Sequence, residues 1–460
     1  MAAIPYFIIS PNTLISVLGL LRGPDKTVPT PSEDWRKATV DVVIPAYKEE
    51  HNIALCLASV ARQTLRPKRI VLIDDGSGDR TADYAKTFCE LNDMQITIIK
   101  RKASIGKTPT IKRQAREFDS DVEFILDGDT ILESDNYIER TVQELYQGVG
   151  IACACGTILP LRERDRNAVV KEASVQRFLE AVPEAPIHSE SISLFRRLQR
   201  GLTNLYRDVL YMFLQRFIYR GQMVFFGSIL NPVGCAVAYR RKYVKNLFDR
   251  YEPILGDDLT NSEDIFIGFA LVDQGYRNIQ LTDVYARSEE PEASVLPRQL
   301  YLWSSSFLQS CYYFDVLLQS PFKVLRRYRM RRRIKKSGVE EKRRVKEQYR
   351  QAFGSDYTRK YGRPIGWSFM TSAIEKLFFP IALLIMLFLQ LWWPLAITVG
   401  AETVIALTAL TIAAKGKRLE YLLKGLLIAP LRYLPVLFDV YTMIRFSLDL
   451  WVFRNRRWRK

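Results

Sequence analysis

"VEFILDGDT" runs from 122 to 130, and its reading decides the fold. Val122 to Leu126 form a short apolar run of the kind that sits buried in a sheet. Two carboxylates, Asp127 and Asp129, then follow with only Gly128 between them. Three earlier stretches have the same Val- and Ile-rich build: "VDVVIPAY" (40–47), "RIVLIDDGS" (69–77) and "QITIIKR" (95–101). The second also ends on acids, Asp74 and Asp75. Helical stretches lie between them, "EEHNIALCLASVARQ" (49–63) and "TADYAKTFCELN" (81–92). Strand and helix alternating in this way predict a parallel sheet with helices on its faces. Ligands of such sheets bind beyond the carboxyl ends of the strands, so both acid pairs are expected in one crevice.

The acids stand out because the chain is basic. Its 460 residues hold 67 Lys and Arg against 50 Asp and Glu, a net charge of +17, which favours an anionic partner. Two histidines are too few for a zinc site to be expected, and six scattered cysteines give no disulfide framework. Cys153 and Cys155 read as small buried residues on one face of a strand. The N-terminus lacks the basic stretch of a usual signal peptide.

Apolar sequence gathers near the C-terminus. "LFFPIALLIMLFLQLWWPLAI" (377–397) carries no charge and is long enough to span a bilayer. "TVGAETVIALTALTIAA" (398–414) reads as a second span containing Glu402. Segment 419–453 holds Arg432, Asp439, Arg445 and Asp449, and reads as an interfacial or broken helix; the apolar stretch 4–21 is similar. Basic runs at 326–336, 341–346, 415–418 and 454–460 flank these segments. They predict a cytoplasmic C-terminus and a face against anionic membrane lipids rather than nucleic acid. The expected parts are an N-terminal apolar segment and linker (1–38), a cytosolic domain (39–295), interfacial helices with a basic juxtamembrane region (296–376), a transmembrane hairpin (377–414) and an interfacial helix with a basic tail (415–460). Two spans make a poor channel, and Glu402 inside one of them needs a partner, so a homo-oligomer or a secretion partner is expected.

A strand-end Asp-x-Asp suits a divalent cation and a diphosphate. With its companions the chain resembles family-two glycosyltransferases, specifically the membrane-bound synthases of hyaluronan, chitin, cellulose and alginate. The resemblance spans about Thr39 to Phe307. It rests on "VVIPAYKEEHNI" (42–53), "LIDDGSGDRT" (72–81), "GKTPTIKRQA" (106–115), "LDGDT" (126–130), "NSEDIFIGFALVDQGYR" (261–277) and "RQLYLW" (298–303). It implies an α/β, Rossmann-like, glycosyltransferase A-type domain that binds a nucleotide sugar, with transmembrane and interfacial helices after it, at the plasma or inner membrane with its catalytic domain in the cytoplasm. It implies an inverting hexosyl transfer that makes or extends a polysaccharide, or else adds one sugar to a lipid carrier; a non-catalytic membrane scaffold is the remaining alternative. Mg²⁺ or Mn²⁺ is expected on Asp127 and Asp129. Asp264 is expected as catalytic base, with Asp257 and Asp258 next in line. Pro45, Tyr47, Glu49, Asp74, Asp75, Lys107, Asp127 and Glu263 are expected to bind substrate. The last motif departs from the relatives' Gln-x-x-Arg-Trp, because Leu302 stands where they have Arg. Arg298, one helical turn earlier, is the expected substitute, with Gln299 and Trp303 bordering the acceptor.

Overall fold

Side chains alternate between the two faces of a strand, and the first strands use both faces for core. Val42, Ile44 and Phe124 pack into one apolar layer with the helix Ile53–Ala61. Val43, Val71 and Ile125 pack into the other, against the helix Glu263–Gln274. The computed structural model describes residues 10–22, 33–117, 119–148, 150–187, 194–255, 262–336 and 352–453. The apolar residues 4–9, most of the linker, Asp257, Asp258 and the basic runs 341–346 and 454–460 lie outside the described residues.

The four expected strands form as Val40–Ala46 (β1), Arg69–Asp74 (β2), Ile96–Lys100 (β3) and Val122–Leu126 (β4), all parallel. Beyond them the sheet is mixed rather than all-parallel, which corrects the expectation. Thr130–Leu132 (β5), Ile151–Pro160 (β6), Ala236–Arg240 (β7) and Arg277–Ser288 (β8) complete the order β3-β2-β1-β4-β7-β6-β8-β5. β7 runs antiparallel to both β4 and β6. The strand–helix–strand crossovers that enforce parallel pairing stop after β4, and β7 enters only after the long helical excursion from Leu194 to Phe226. Cys153 and Cys155 are buried on β6, and the cysteines are free thiols.

Three C-terminal helices are long and apolar enough to cross a membrane: Gly366–Phe388, Trp392–Ala413 and Arg418–Val452. The first has 23 residues, about 35 Å at 1.5 Å per residue, against a hydrocarbon core of about 30 Å. Large apolar side chains cover their outer faces, with Phe388 at 87% and Trp393 at 82% exposure. The third is interrupted by a 3-10 turn at Ala429–Tyr433, where Pro430 removes a donor.

Charges inside this bundle are matched within the chain. Glu402 meets Arg432 Nη2 at 2.5 Å and accepts from the Tyr433 hydroxyl at 3.0 Å. The sequence argument that Glu402 calls for a second chain therefore falls. Asp439 accepts from Lys376 at 2.5 Å and from Ser304 at 2.6 Å. That pair ties the bundle to the helix Leu296–Tyr313, which also carries Gln299 and Trp303.

Candidate active site

β4 ends at Leu126, and the tight turn that follows is closed by the Thr130 N–H donating to the Asp127 carbonyl at 2.9 Å. The turn packs against the loop after β1. A side chain at Gly128 would put its Cβ 3.0 Å from Glu49 Cγ, so glycine permits the approach. Glu49 is presented by Lys48, which adopts a left-handed φ of 61° and donates its N–H to Ser77 Oγ at 2.9 Å. Asp127, Asp129 and Glu49 face one cavity of about 730 Å³ beyond the strand ends.

From the opposite side the cavity receives the start of the helix Glu263–Gln274, which holds Glu263 and Asp264. Asp264 Oδ1 accepts from Ser262 Oγ and, at 2.8 Å, from the Ile265 N–H. Gly234 packs directly on this carboxylate: a Cβ there would fall 2.7 Å from Asp264 Oδ2. Lys107 joins the two sides. It starts the helix Lys107–Glu117, and its Nζ lies 2.7 Å from Asp127 Oδ1 and 2.8 Å from Glu263 Oε1.

Crowded acids set the electrostatics. Burial, then the Asp127 charge, pushes Asp129 up to about 7. Burial, then Asp129, pushes Glu49 up to about 8. Burial, then Glu263, raises Asp264 above the usual aspartate range. Burial pulls Lys107 down, but Asp127, Glu263 and Asp264 outweigh it and hold its pKa well above the ordinary lysine value. The cavity thus stores more negative charge than Lys107 neutralises, which suits an added cation. Among the described residues no three ligating side chains cluster closely enough to cage a metal by themselves. An Mg²⁺- or Mn²⁺-like ion held by one or two carboxylates, with phosphate oxygens and water completing its shell, fits this donor set.

Of the expected site residues, Glu49, Lys107, Asp127, Asp129, Glu263, Asp264, Gln299 and Trp303 line this cavity, and Pro45, Tyr47, Asp74, Asp75 and Arg298 do not. Pro45 sits within β1, opposite Ile73. Tyr47 is half exposed, and Arg298 is exposed. Asp74 Oδ1 accepts the Ser77 N–H at 2.9 Å. Asp75 takes bonds from Arg101 (2.7 Å), Ser104 Oγ (2.6 Å) and the N–H groups of Ile105 (3.1 Å) and Gly106 (2.8 Å). Asp74 and Asp75 thus lie outside the lining of this cavity. Asp75 instead clasps the loop that positions Lys107.

Sequence reasoning missed several lining groups. Asn52 donates to Glu49 at 3.0 Å and to Glu289 at 2.8 Å, and Arg166 reaches Glu289 at 3.1 Å. Glu289 and Glu290 follow β8 as an acidic pair before Pro291, a signal comparable to the one at Asp74 and Asp75.

Residues 41–248 match the family described as Glycosyl transferase family 2. The matched stretch holds seven of the eight strands of the mixed α/β sheet, and three long apolar helices follow the sheet. The matched stretch includes Asp127 and Asp129 and ends before Asp264. The chain is similar to an N-acetylglucosaminyltransferase of Azorhizobium caulinodans, 22% identical over 272 residues, which are 58% of this chain and 59% of that one. An N-acetylglucosaminyltransferase of Mesorhizobium japonicum is 24% identical over 295 residues, 63% of this chain and 60% of that one. The chain thus spans about three fifths of the length of these two relatives. Among solved structures, a mannosyltransferase from Pyrobaculum calidifontis in complex with GDP-Man and Mn²⁺ aligns over 97% of this chain and 98% of its own, at 15% identity and a TM-score of 0.49.

Proposed function

We propose that the protein is an inverting glycosyltransferase. It moves a hexose, with N-acetylglucosamine the first to test, from a nucleoside diphosphate to a hydroxyl of a glycan, at the cytoplasmic face of a membrane. The observation that carries this reading is the Lys107 bridge. One ammonium sits between the strand-end Asp127 and the helix-start Glu263, with Asp129 and Asp264 on the same cavity. A donor diphosphate and an acceptor hydroxyl both need to meet within such a space.

The roles follow from the groups. A divalent cation on Asp127 and Asp129 would supply Lewis-acid charge to the departing diphosphate. Lys107 adds a fixed positive charge beside it. Asp264, with Oδ1 fixed by Ser262 and Ile265, takes the acceptor's proton. The bond between the acceptor oxygen and the anomeric carbon forms as the bond to phosphate breaks, and the nucleoside diphosphate leaves with the electron pair. One displacement inverts the anomeric centre. The basic turn at 415–418, between the second and third apolar helices, supports the cytoplasmic placement by the positive-inside rule.

The test is incubation of the purified full chain with nucleotide sugars, UDP-N-acetylglucosamine first, with Mn²⁺ or Mg²⁺ and a short glycan. The reading expects release of nucleoside diphosphate and a product of inverted configuration by NMR. A retained anomeric configuration would contradict the single-displacement assignment of Asp264.

A further inference from the structure

A second cavity, of about 410 Å³, opens where the sheet meets the turn between the second and third apolar helices. Its size falls within the roughly 300–1,000 Å³ of ordinary ligand sites. Ile158 and Tyr211 line both this cavity and the candidate active site. β6 and β8 bound it on one side, and the turn carrying Lys415 and Lys417 bounds it on the other. The turn closes with the Lys417 N–H donating to the Ala414 carbonyl at 3.0 Å, and Gly416 takes the left-handed φ of 83° that the reversal needs.

Arg216 enters from the domain side. It lies in the π-helical turn Leu214–Tyr219, whose wider winding sends Gln215 to the β6 backbone at Ile158 and Arg216 to the cavity. Arg216 Nη1 donates to the Thr282 carbonyl at 3.0 Å and Nη2 to the Tyr285 hydroxyl at 2.8 Å. Both partners are neutral, and among the described residues no carboxylate pairs with the guanidinium. Lys415 and Lys417 are exposed, and among the described residues they too have no ion pair. Nearby acids are already taken. Glu420 pairs with Lys424 at 2.5 Å. Asp208, on the cavity lining, meets Arg162 at 2.8 Å, Lys424 at 2.5 Å and the Tyr421 hydroxyl at 3.0 Å.

Arg216, Lys415 and Lys417 therefore face one cavity with no anion from the described chain to match them. Gathered like charges repel, and an incoming anion removes that cost. Position narrows the anion's source. The turn follows a 22-residue apolar helix, so it stands at the depth of lipid headgroups. Chemistry narrows its kind, because a guanidinium forks onto two phosphate oxygens and ammonium groups take the others.

We propose that this cavity binds the phosphate of an anionic lipid headgroup, held by Arg216 from the sheet domain and by Lys415 and Lys417 from the membrane turn. The lipid pins the domain to the bilayer and is not a substrate. General attraction of basic runs to an anionic surface needs neither a cavity nor a residue of the sheet domain. The proposal rests on the membrane placement in the reading above and not on its transfer chemistry.

The experiment titrates the full chain, purified in neutral detergent, with dioleoyl phosphatidylglycerol, with dioleoyl phosphatidylcholine and with inorganic phosphate. Native mass spectrometry counts bound lipid, and intrinsic fluorescence follows the melting temperature. One phosphatidylglycerol per chain is expected, held about tenfold more tightly than phosphatidylcholine, with a rise in melting temperature that inorganic phosphate does not give. Arg216→Gln is expected to weaken that binding about tenfold, and Lys417→Gln about threefold. Arg332→Gln removes the same charge from an exposed site on the basic helix Val324–Lys336, outside the cavity lining, and should change binding by less than about twofold. Arg216→Lys keeps the charge without the fork and should fall between wild type and Arg216→Gln; it gives the reading if the glutamine variant does not fold. Equal weakening by Arg216→Gln and Arg332→Gln, or no weakening by either, leaves surface attraction only and overturns the site. Inorganic phosphate that binds and stabilises as the lipid does would assign a soluble anion and overturns the headgroup. A wild type recovered from cells in the aqueous fraction without detergent overturns the membrane placement, and the proposal with it.

Discussion

Two acid pairs end two strands of one sheet, and they do opposite things. Asp74 and Asp75 close β2; Asp127 and Asp129 follow β4. Asp75 is surrounded by four donors from its own chain, and these bonds outweigh burial and hold its pKa below the usual range. Asp127 meets Lys107, while the Asp129 carboxylate accepts, among the described residues, from Thr130 Oγ1 at 3.0 Å and Ser288 Oγ at 3.4 Å and is pushed up to about 7 by burial and Asp127. The same residue at the same kind of position becomes a structural clasp in one place and an unsaturated anionic site in the other. The environment decides, and it decides by how many donors the chain itself supplies.

The largest expected effect lies on the unsaturated side. Asp264→Asn nearly keeps size but cannot take a proton, and transfer should fall by about two to four orders of magnitude with nucleotide binding retained. Near-normal turnover in a folded variant would place the base elsewhere. Lys107→Met removes the cation shared by Asp127 and Glu263 and should destabilise the fold by on the order of 3 kcal/mol, read by denaturant unfolding. Added Mn²⁺ should recover part of that loss, because a metal can replace the missing charge. Asp75→Asn should cost about 1–3 kcal/mol, since charge-assisted bonds to the 104–106 loop are lost. If Asp75 is only a clasp, Mn²⁺ does not recover this loss.

The smallest effect concerns pH. The folded pKa of Asp75 lies below its unfolded value, so its stabilisation is present above the ordinary carboxylate range and is lost as pH falls through the depressed pKa. Asp129 has the reverse sign. Its folded pKa of about 7 exceeds the unfolded value, the folded state binds more protons between the two, and metal-free stability falls as pH rises through that window. Melting curves from pH 2 to 8 should show the second slope flattened by Asp129→Asn, and the acid-side slope flattened by Asp75→Asn.

Local pattern made part of this legible. Four apolar runs gave four parallel strands, and "DGD" fell just past a strand end because a strand must stop where two acids and a glycine begin. Glu263 and Asp264 do open a helix, and the helix at 296–313 does turn Gln299 and Trp303 to the cavity. Contacts between distant residues were not legible. The Asp75 clasp depends on the 101–106 loop folding back across β2. The bond from Arg207 to Gln299 joins residues 92 apart in sequence, and Glu402 meets Arg432 only when two helices pair. Arg298, the nearest arginine along the chain to Leu302, is exposed and does not line the cavity. Sequence spacing cannot rank such choices, because they are fixed by which surfaces pack.

The central claim is that Asp127 and Asp129 hold a cation that a nucleoside diphosphate requires. Calorimetric titration of UDP into the purified full chain, with Mn²⁺ and then with EDTA, tests it most directly when repeated on Asp129→Ala. The account predicts binding with Mn²⁺, its loss in EDTA, and weak binding in Asp129→Ala that Mn²⁺ does not improve. UDP binding that is equally tight in all of these conditions would contradict it.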